Sequence, residues 1–176
     1  MRWVLPYALL VACSSPPSDR GLAPPTEVTT SRAWPADEVF DGLDGKIVRL
    51  CDFYDPSGRA PLLVIATVDA WDDASRAERD YLASVAASYE ALGVRFLEVL
   101  YDGPTVGIGA TPADLAQWAE SGSGIVYALA SEEEFIDAAG IPSNTYVDAR
   151  TMTVLGSVIG FAPGSIDTWL ARVENH

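Results

Sequence analysis

Pro61-Leu62-Leu63-Val64-Ile65-Ala66-Thr67-Val68, followed at once by Asp69-Ala70-Trp71-Asp72-Asp73-Ala74-Ser75-Arg76-Ala77-Glu78, is the stretch on which the fold turns. Its first eight residues form a continuous apolar run, the pattern of a central strand buried on both faces. A helix follows: Tyr81, Leu82, Val85, Ala86, Tyr89 and Leu92 recur at helical spacing, and Gly93 is a stop signal. Val94 to Leu100 is the next strand.

Working outward, the alternation continues. Ile47 to Cys51 reads as a short strand before the central run. Thr111-Pro112-Ala113-Asp114 opens a second helix with an N-cap, a proline at the first helical position and an acid at the third. Ile125 to Ala130 reads as a strand, and Ser131-Glu132-Glu133-Glu134 as the cap of a short helix through Ala139. Asn144 to Asp148 and Thr153 to Ile159 are strands joined at Ala149-Arg150. Ile166, Trp169, Leu170 and Val173 mark a last helix at i, i+3, i+4, i+7. Long crossovers between apolar strands predict parallel pairing, and the final pair predicts a hairpin. The fold class is therefore α/β, a central mixed sheet flanked by helices.

The N-terminal end has a different character. Arg2 precedes the uncharged, mostly apolar run Trp3 to Ala12, and Leu10-Val11-Ala12-Cys13 follows the order of a signal-peptide cleavage site. Ten residues are too few to span a bilayer, which takes about 20. Residues 14 to 33, with Ser14-Ser15-Pro16-Pro17-Ser18 and Pro24-Pro25-Thr26, lack apolar periodicity and read as a flexible tether. Such a tether reaches on the order of 25 Å. The expected organisation is a leader over 1–12, a linker over 13–33 and one globular domain over 34–176.

Charge narrows the partners. The 176-residue chain has a net charge of −14; without a leader carrying Arg2, 10 basic residues face 25 acidic ones, giving −15. A surface of that sign repels phosphate backbones, so no nucleic-acid partner is expected. His176 is the lone histidine, which rules out a histidine-based metal site or catalytic dyad. Asp69, Asp72 and Asp73 lack the spacing and glycine of a calcium loop, so no metal is expected. Gly103 to Gly109 lacks a phosphate-loop lysine and reads as a loop, and no cofactor is expected. Asp52, Asp55 and Gly58 read as a turn before the central strand. Trp34, Trp71, Trp118 and Trp169 read as core or cap residues. Cys51, in a strand-like run, reads as a buried inert thiol and is also the candidate free thiol once Cys13 is modified.

Two resemblances rest on these residues. Leu10-Val11-Ala12-Cys13 resembles the bacterial lipobox, which implies lipidation (diacylglycerol and palmitate) at Cys13 and a periplasm-facing membrane anchor. Ser14 in place of aspartate implies the outer membrane rather than the inner one. Residues 40 to 174 resemble the thioredoxin-like superfamily, in particular its membrane-anchored thiol–disulfide and AhpC/TSA-type domains. The resemblance is carried by Trp71 to Glu78, by Gly140-Ile141-Pro142-Ser143-Asn144-Thr145-Tyr146-Val147-Asp148, and by the terminal hairpin and helix with Gly160. Relatives have tryptophan, cysteine, two residues, cysteine, arginine, any residue and glutamate at the first place, and a cis-proline at the second, implied here at Pro142.

This chain departs from them where the chemistry sits. Asp72 and Ser75 occupy the two cysteine positions, and disulfide exchange needs a thiolate and a second thiol. An aspartate at a helix start instead complements the helix dipole, and Ser75 with Glu78 spells a capping box. The leading expectation is a tethered, redox-inactive envelope lipoprotein whose groove beside Trp71 and Pro142 binds a protein or peptide. The alternatives are an oxidoreductase or peroxidase-type protein using Cys51, and a structural envelope protein without a ligand.

Overall fold

The structure is a computed structural model that describes residues 38–130 and 140–175. Seven strands form one mixed sheet: β1 Val39–Gly42, β2 Ile47–Arg49, β3 Leu62–Val68, β4 Val94–Leu100, β5 Ile125–Leu129, β6 Ser143–Asp148 and β7 Thr153–Ile159. The described helices are α1 Asp73–Glu90, α2 Pro112–Trp118 and α3 Ser165–Glu174. Across the sheet the order is β2-β1-β5-β4-β3-β6-β7.

The apolar run forms β3, and all seven of its residues are buried. It lies parallel to β4 and antiparallel to β6; β4 and β5 are parallel, and β6 and β7 form the expected hairpin. A strand that is lined on both sides by partners and on both faces by core can bear no polar alternation, which is why β3 reads as unbroken. One face packs Leu62, Val64, Ala66 and Val68 against Leu82 and Ala86 of α1, Leu115 and Trp118 of α2, and Ile166, Leu170 and Val173 of α3. The other face holds Leu63, Ile65, Leu97, Val99 and Val147 against Phe40, Leu50, Phe53 and Met152.

Three local readings need correction. The first strand ends at Arg49 rather than Cys51, because the Asp52 carboxylate accepts the Arg49 amide (3.1 Å) and closes a 3-10 turn over Leu50–Phe53. Strand β1 was not expected, since Val39-Phe40-Asp41-Gly42 buries only two of its four residues and contains an acid and a glycine. It is held by pairing with β2 and β5 instead. Helix α1 stops at Glu90, so Leu92 lies beyond it and is 58% exposed rather than part of the apolar face. Gly93 does what a stop signal requires: its φ is +83°, and a Cβ there would stand 2.6 Å from the Arg59 carbonyl. The expected helix over 131–139 and the leader and tether up to residue 33 lie outside the described residues, as do Trp34 and His176.

Candidate functional site

β3 delivers the chain to α1 through Asp69-Ala70-Trp71-Asp72. Asp72 is the N-cap of α1, and its Oδ2 accepts both the Ser75 amide (2.7 Å) and the Ser75 hydroxyl (2.9 Å). The Ser75 Oγ in turn accepts the Asp69 amide at 3.2 Å, and Ser75 is fully buried. The two positions that carry cysteines in relatives are therefore joined by hydrogen bonds between a carboxylate and a hydroxyl. This closed arrangement satisfies orphan amides of the helix start and has no group able to exchange a disulfide. The predicted capping box of Ser75 with Glu78 does not form. Asp72 is already the cap, Ser75 is the third helical residue, and Glu78 points into the core.

The turn is fastened on both sides. Arg76 donates to the Ala70 carbonyl (2.7 Å) and pairs with Asp73 at the surface. Asp69 is buried, and its Oδ1 accepts the Asp102 amide (3.0 Å), while the Ala70 amide donates to the Asp102 carbonyl (2.9 Å). Burial pushes the Asp69 carboxyl up, and the Asp102 and Asp72 charges add to that against the hydrogen bond from Asp102. The loop after β4 is closed on the same residue: Asp102 Oδ2 accepts the Gly107 amide (2.6 Å), and Asp102 bridges to Gly109. Sequence reading singled out the glycines of this loop but not Asp102, which organises it.

Pro142 reaches the same end of the sheet. Ser143 pairs with Thr67 of β3 and with Ile159 of β7, so Pro142 stands beside the point where β3 hands over to the turn. The Ile141–Pro142 bond is cis, and the Pro142 carbonyl accepts the Gly160 amide at 2.7 Å. Large apolar side chains are exposed around this end: Trp71 37%, Val106 66%, Ile108 59%, Ile159 53% and Phe161 37%. Phe161 packs edge-on against Tyr81 of α1, with ring centroids 5.6 Å apart. Trp71 is thus a rim residue and not a core or cap residue. Trp118 is buried in the interior and Trp169 is partly buried against it, stacking on Tyr146 above Gly156, where a Cβ would come within 2.5 Å of the indole.

The remaining candidates fall elsewhere. Cys51 sits half-buried in the 3-10 turn near the opposite sheet edge, away from the start of α1. Asp55 forms the expected turn before β3, accepting the Ser57 amide (3.0 Å) and the Ala60 amide (2.9 Å). Among the described residues no three His, Cys, Asp or Glu side chains converge as a metal site would require. No described helix is long and apolar enough to cross a membrane. Cys13 lies outside the described residues.

The burial of two acids escaped the sequence reading, which took Glu78 for a helix-cap residue. Glu78 is 2% exposed and accepts from the Asn144 amide; Glu98 is 1% exposed and accepts from the Trp118 indole N–H at 2.5 Å. Glu98 lies in the middle of an apolar strand, where a charged residue invites reading as a solvent-facing position. The signal was Trp118, seven residues into a short helix with an N–H to satisfy.

No family model and no curated protein matches the chain. Solved structures do. A protein described as the thiol:disulfide interchange protein DsbE from Chlorobium tepidum superposes with a TM-score of 0.64 at 18% identity, over 84% of this chain and 99% of that one. A thioredoxin-like protein from Aeropyrum pernix gives 0.60 at 12% identity, over 78% and 89%. The exposed lipoprotein thioredoxin Etrx1 of Streptococcus pneumoniae gives 0.54 at 19% identity, over 80% and 100%. With a parallel β3–β4–β5 core, a terminal β6–β7 hairpin and a cis-proline beside the end of β3, the described chain has the thioredoxin-like fold.

Proposed function

We propose that this chain is a redox-inactive, membrane-tethered lipoprotein of the bacterial envelope whose thioredoxin-like domain binds an extended, apolar segment of a protein or peptide partner. The observation that carries the reading is the α1 start. It keeps Trp71 exposed at the end of the sheet that cis-Pro142 also reaches, while Asp72 and Ser75 are bonded to each other where an exchanging pair would need two thiols. The exposed apolar side chains around that end supply contact area without chemistry. The Etrx1 structure shows that this fold occurs on a lipoprotein, and Leu10-Val11-Ala12-Cys13 supports the same anchor here.

A panel of extended peptides tests binding. Peptides are expected to bind the wild-type chain and to lose about tenfold in affinity with Trp71→Ala, a change of about 1.4 kcal/mol. The same protein is expected not to reduce a model disulfide substrate. Catalytic reduction would replace this reading with the oxidoreductase one; binding that is indifferent to Trp71, or none, would leave a structural envelope protein. For the anchor, labelled fatty acid should enter the wild type and not Cys13→Ser. Lipidation uses Cys13, one of the two cysteines in the chain, and a lipidated Cys13 cannot form an intrachain disulfide with Cys51. An intrachain disulfide found in the mature protein isolated from cells therefore counts against the anchor.

A further inference from the structure

Beneath α1 a polar row crosses the sheet. Tyr127 of β5 is the register partner of Glu98 on β4, Glu98 of Ala66 on β3, and Ala66 of Asn144 on β6. Glu78 descends from α1 over this row to accept from Asn144. Among the described residues, three buried polar atoms here have no hydrogen-bond partner: Glu78 Oε2, Glu98 Oε2 and the Tyr127 hydroxyl.

The surroundings decide the state of these carboxyls. From α2 Glu98 meets the neutral Trp118 indole, from β5 the neutral Tyr127 phenol, and from β3 only Ala66. From α1 it feels Glu78, Arg79 and Asp80. Arg79 is the one cation among these groups; it lies over the outer side of the Trp118 ring, 4.7 Å from the centroid, and is paired with Asp80 (2.7 Å). Glu78 meets Asn144 and Tyr146 from β6, both neutral, with Tyr146 bonded to Ser165. Among the described residues, each acid thus has one neutral donor, one bare oxygen and no buried cation. A dehydrated carboxylate with so little support is costly, and two near each other cost more.

We infer that Glu78 and Glu98 form a buried proton-binding site, a carboxyl pair that retains at least one proton in the folded domain at neutral pH. Burial pushes Glu78 up to about 7 against its bond from Asn144. Burial pushes Glu98 up to about 8, with the Glu78 charge adding to it and the Trp118 bond opposing it. The Glu78 charge is one of the causes that raise Glu98, so the two titrations are linked. In the unfolded chain both return to the ordinary value near 4.5. Below that value both states hold the protons, and the pair adds no pH dependence. Above it the unfolded chain releases protons that the folded one keeps, so stability falls as pH rises through the window up to the folded values. Asp55 and Asp114, held down first by side-chain bonds from Ser57 and Thr111, change the balance only below their ordinary 3.8 and so outside this window.

The test is a carboxyl ¹³C titration of the full chain labelled at glutamate, with urea unfolding followed from about pH 5 to about pH 8. At least one glutamate carboxyl should titrate above about pH 6, it should vanish in E78Q or E98Q, and the wild-type urea midpoint should fall across the range. If either variant does not fold, the wild-type titration and midpoints decide alone. Every glutamate titrating below about pH 5.5, a signal above pH 6 that both folded variants retain, or a midpoint that is flat or rises with pH would overturn the inference.

Discussion

Asp72 and Glu78 sit on the same helix, about 9 Å apart along its axis, and meet opposite environments. Asp72 stands at the open N-terminus, where the backbone offers amides that nothing else bonds. Its charge is useful there, and two donors from Ser75 fix it. Glu78 faces the sheet, where the backbone amides are already used and one side-chain amide is its partner. The same carboxyl chemistry is thus structural support at one position and a proton holder at the other. The difference is the supply of donors, not the residue type.

The comparison breaks most visibly at Glu98, whose removal should have the largest effect. Glu98→Ala leaves the Trp118 N–H buried without an acceptor and opens a cavity between β4 and α2. The expected loss is about 3 kcal/mol, read from urea unfolding at about pH 6. Glu98→Gln keeps the volume and an oxygen for Trp118, and should stay within about 1 kcal/mol of wild type at that pH. A Glu98→Ala loss no greater than that of Glu98→Gln would mean that the carboxyl row is not a close-packed part of the core.

Next in size is the cap. Asp72→Ala should cost about 1 kcal/mol, the ordinary value of a lost N-cap, read from urea unfolding at about pH 6. Ser75→Ala removes the hydroxyl that links Asp72 to the Asp69 amide but leaves the cap bond to the Ser75 amide, so its cost should be smaller. An Asp72→Ala loss as large as that of Glu98→Ala would erase the distinction between the two sites.

Much of this was legible in the sequence, for physical reasons that differ by element. β3 announced itself because burial on both faces forbids polar residues, and α2 because Thr111 and Asp114 form the reciprocal cap that their spacing implies. The hairpin and α3 followed from period and turn residues. β1 was not legible: four residues with two buried carry too little pattern, and their place is set by β2 and β5. At the site, Asp72 could be read because helix starts have a local code. Glu78, Glu98 and Asn144 could not, because their partners are 66 and 20 residues away and no local spacing brings them together. Asp102 was missed for the same reason, its bond to Asp69 spanning 33 residues.

The smallest effect expected is at Asp73, one residue beyond the cap. Its side chain is 97% exposed and pairs with Arg76, which is 40% exposed. Water and salt screen such a pair, and ordering two side chains offsets most of its attraction. Arg76 also has a second anchor, the Ala70 carbonyl at 2.7 Å, which holds the guanidinium across the turn whether or not Asp73 is charged. Asp73→Asn should therefore leave the urea midpoint unchanged within error, at low and high salt alike. Arg76→Ala should lower it measurably, because it removes the bond to Ala70 as well as the ion pair. If Asp73→Asn instead matched Asp72→Ala, the charge at the start of α1 would matter more than the hydrogen bonds that Asp72 accepts. The contrast between a donor-rich surface site and a donor-poor buried one would then have to be restated as a contrast in field.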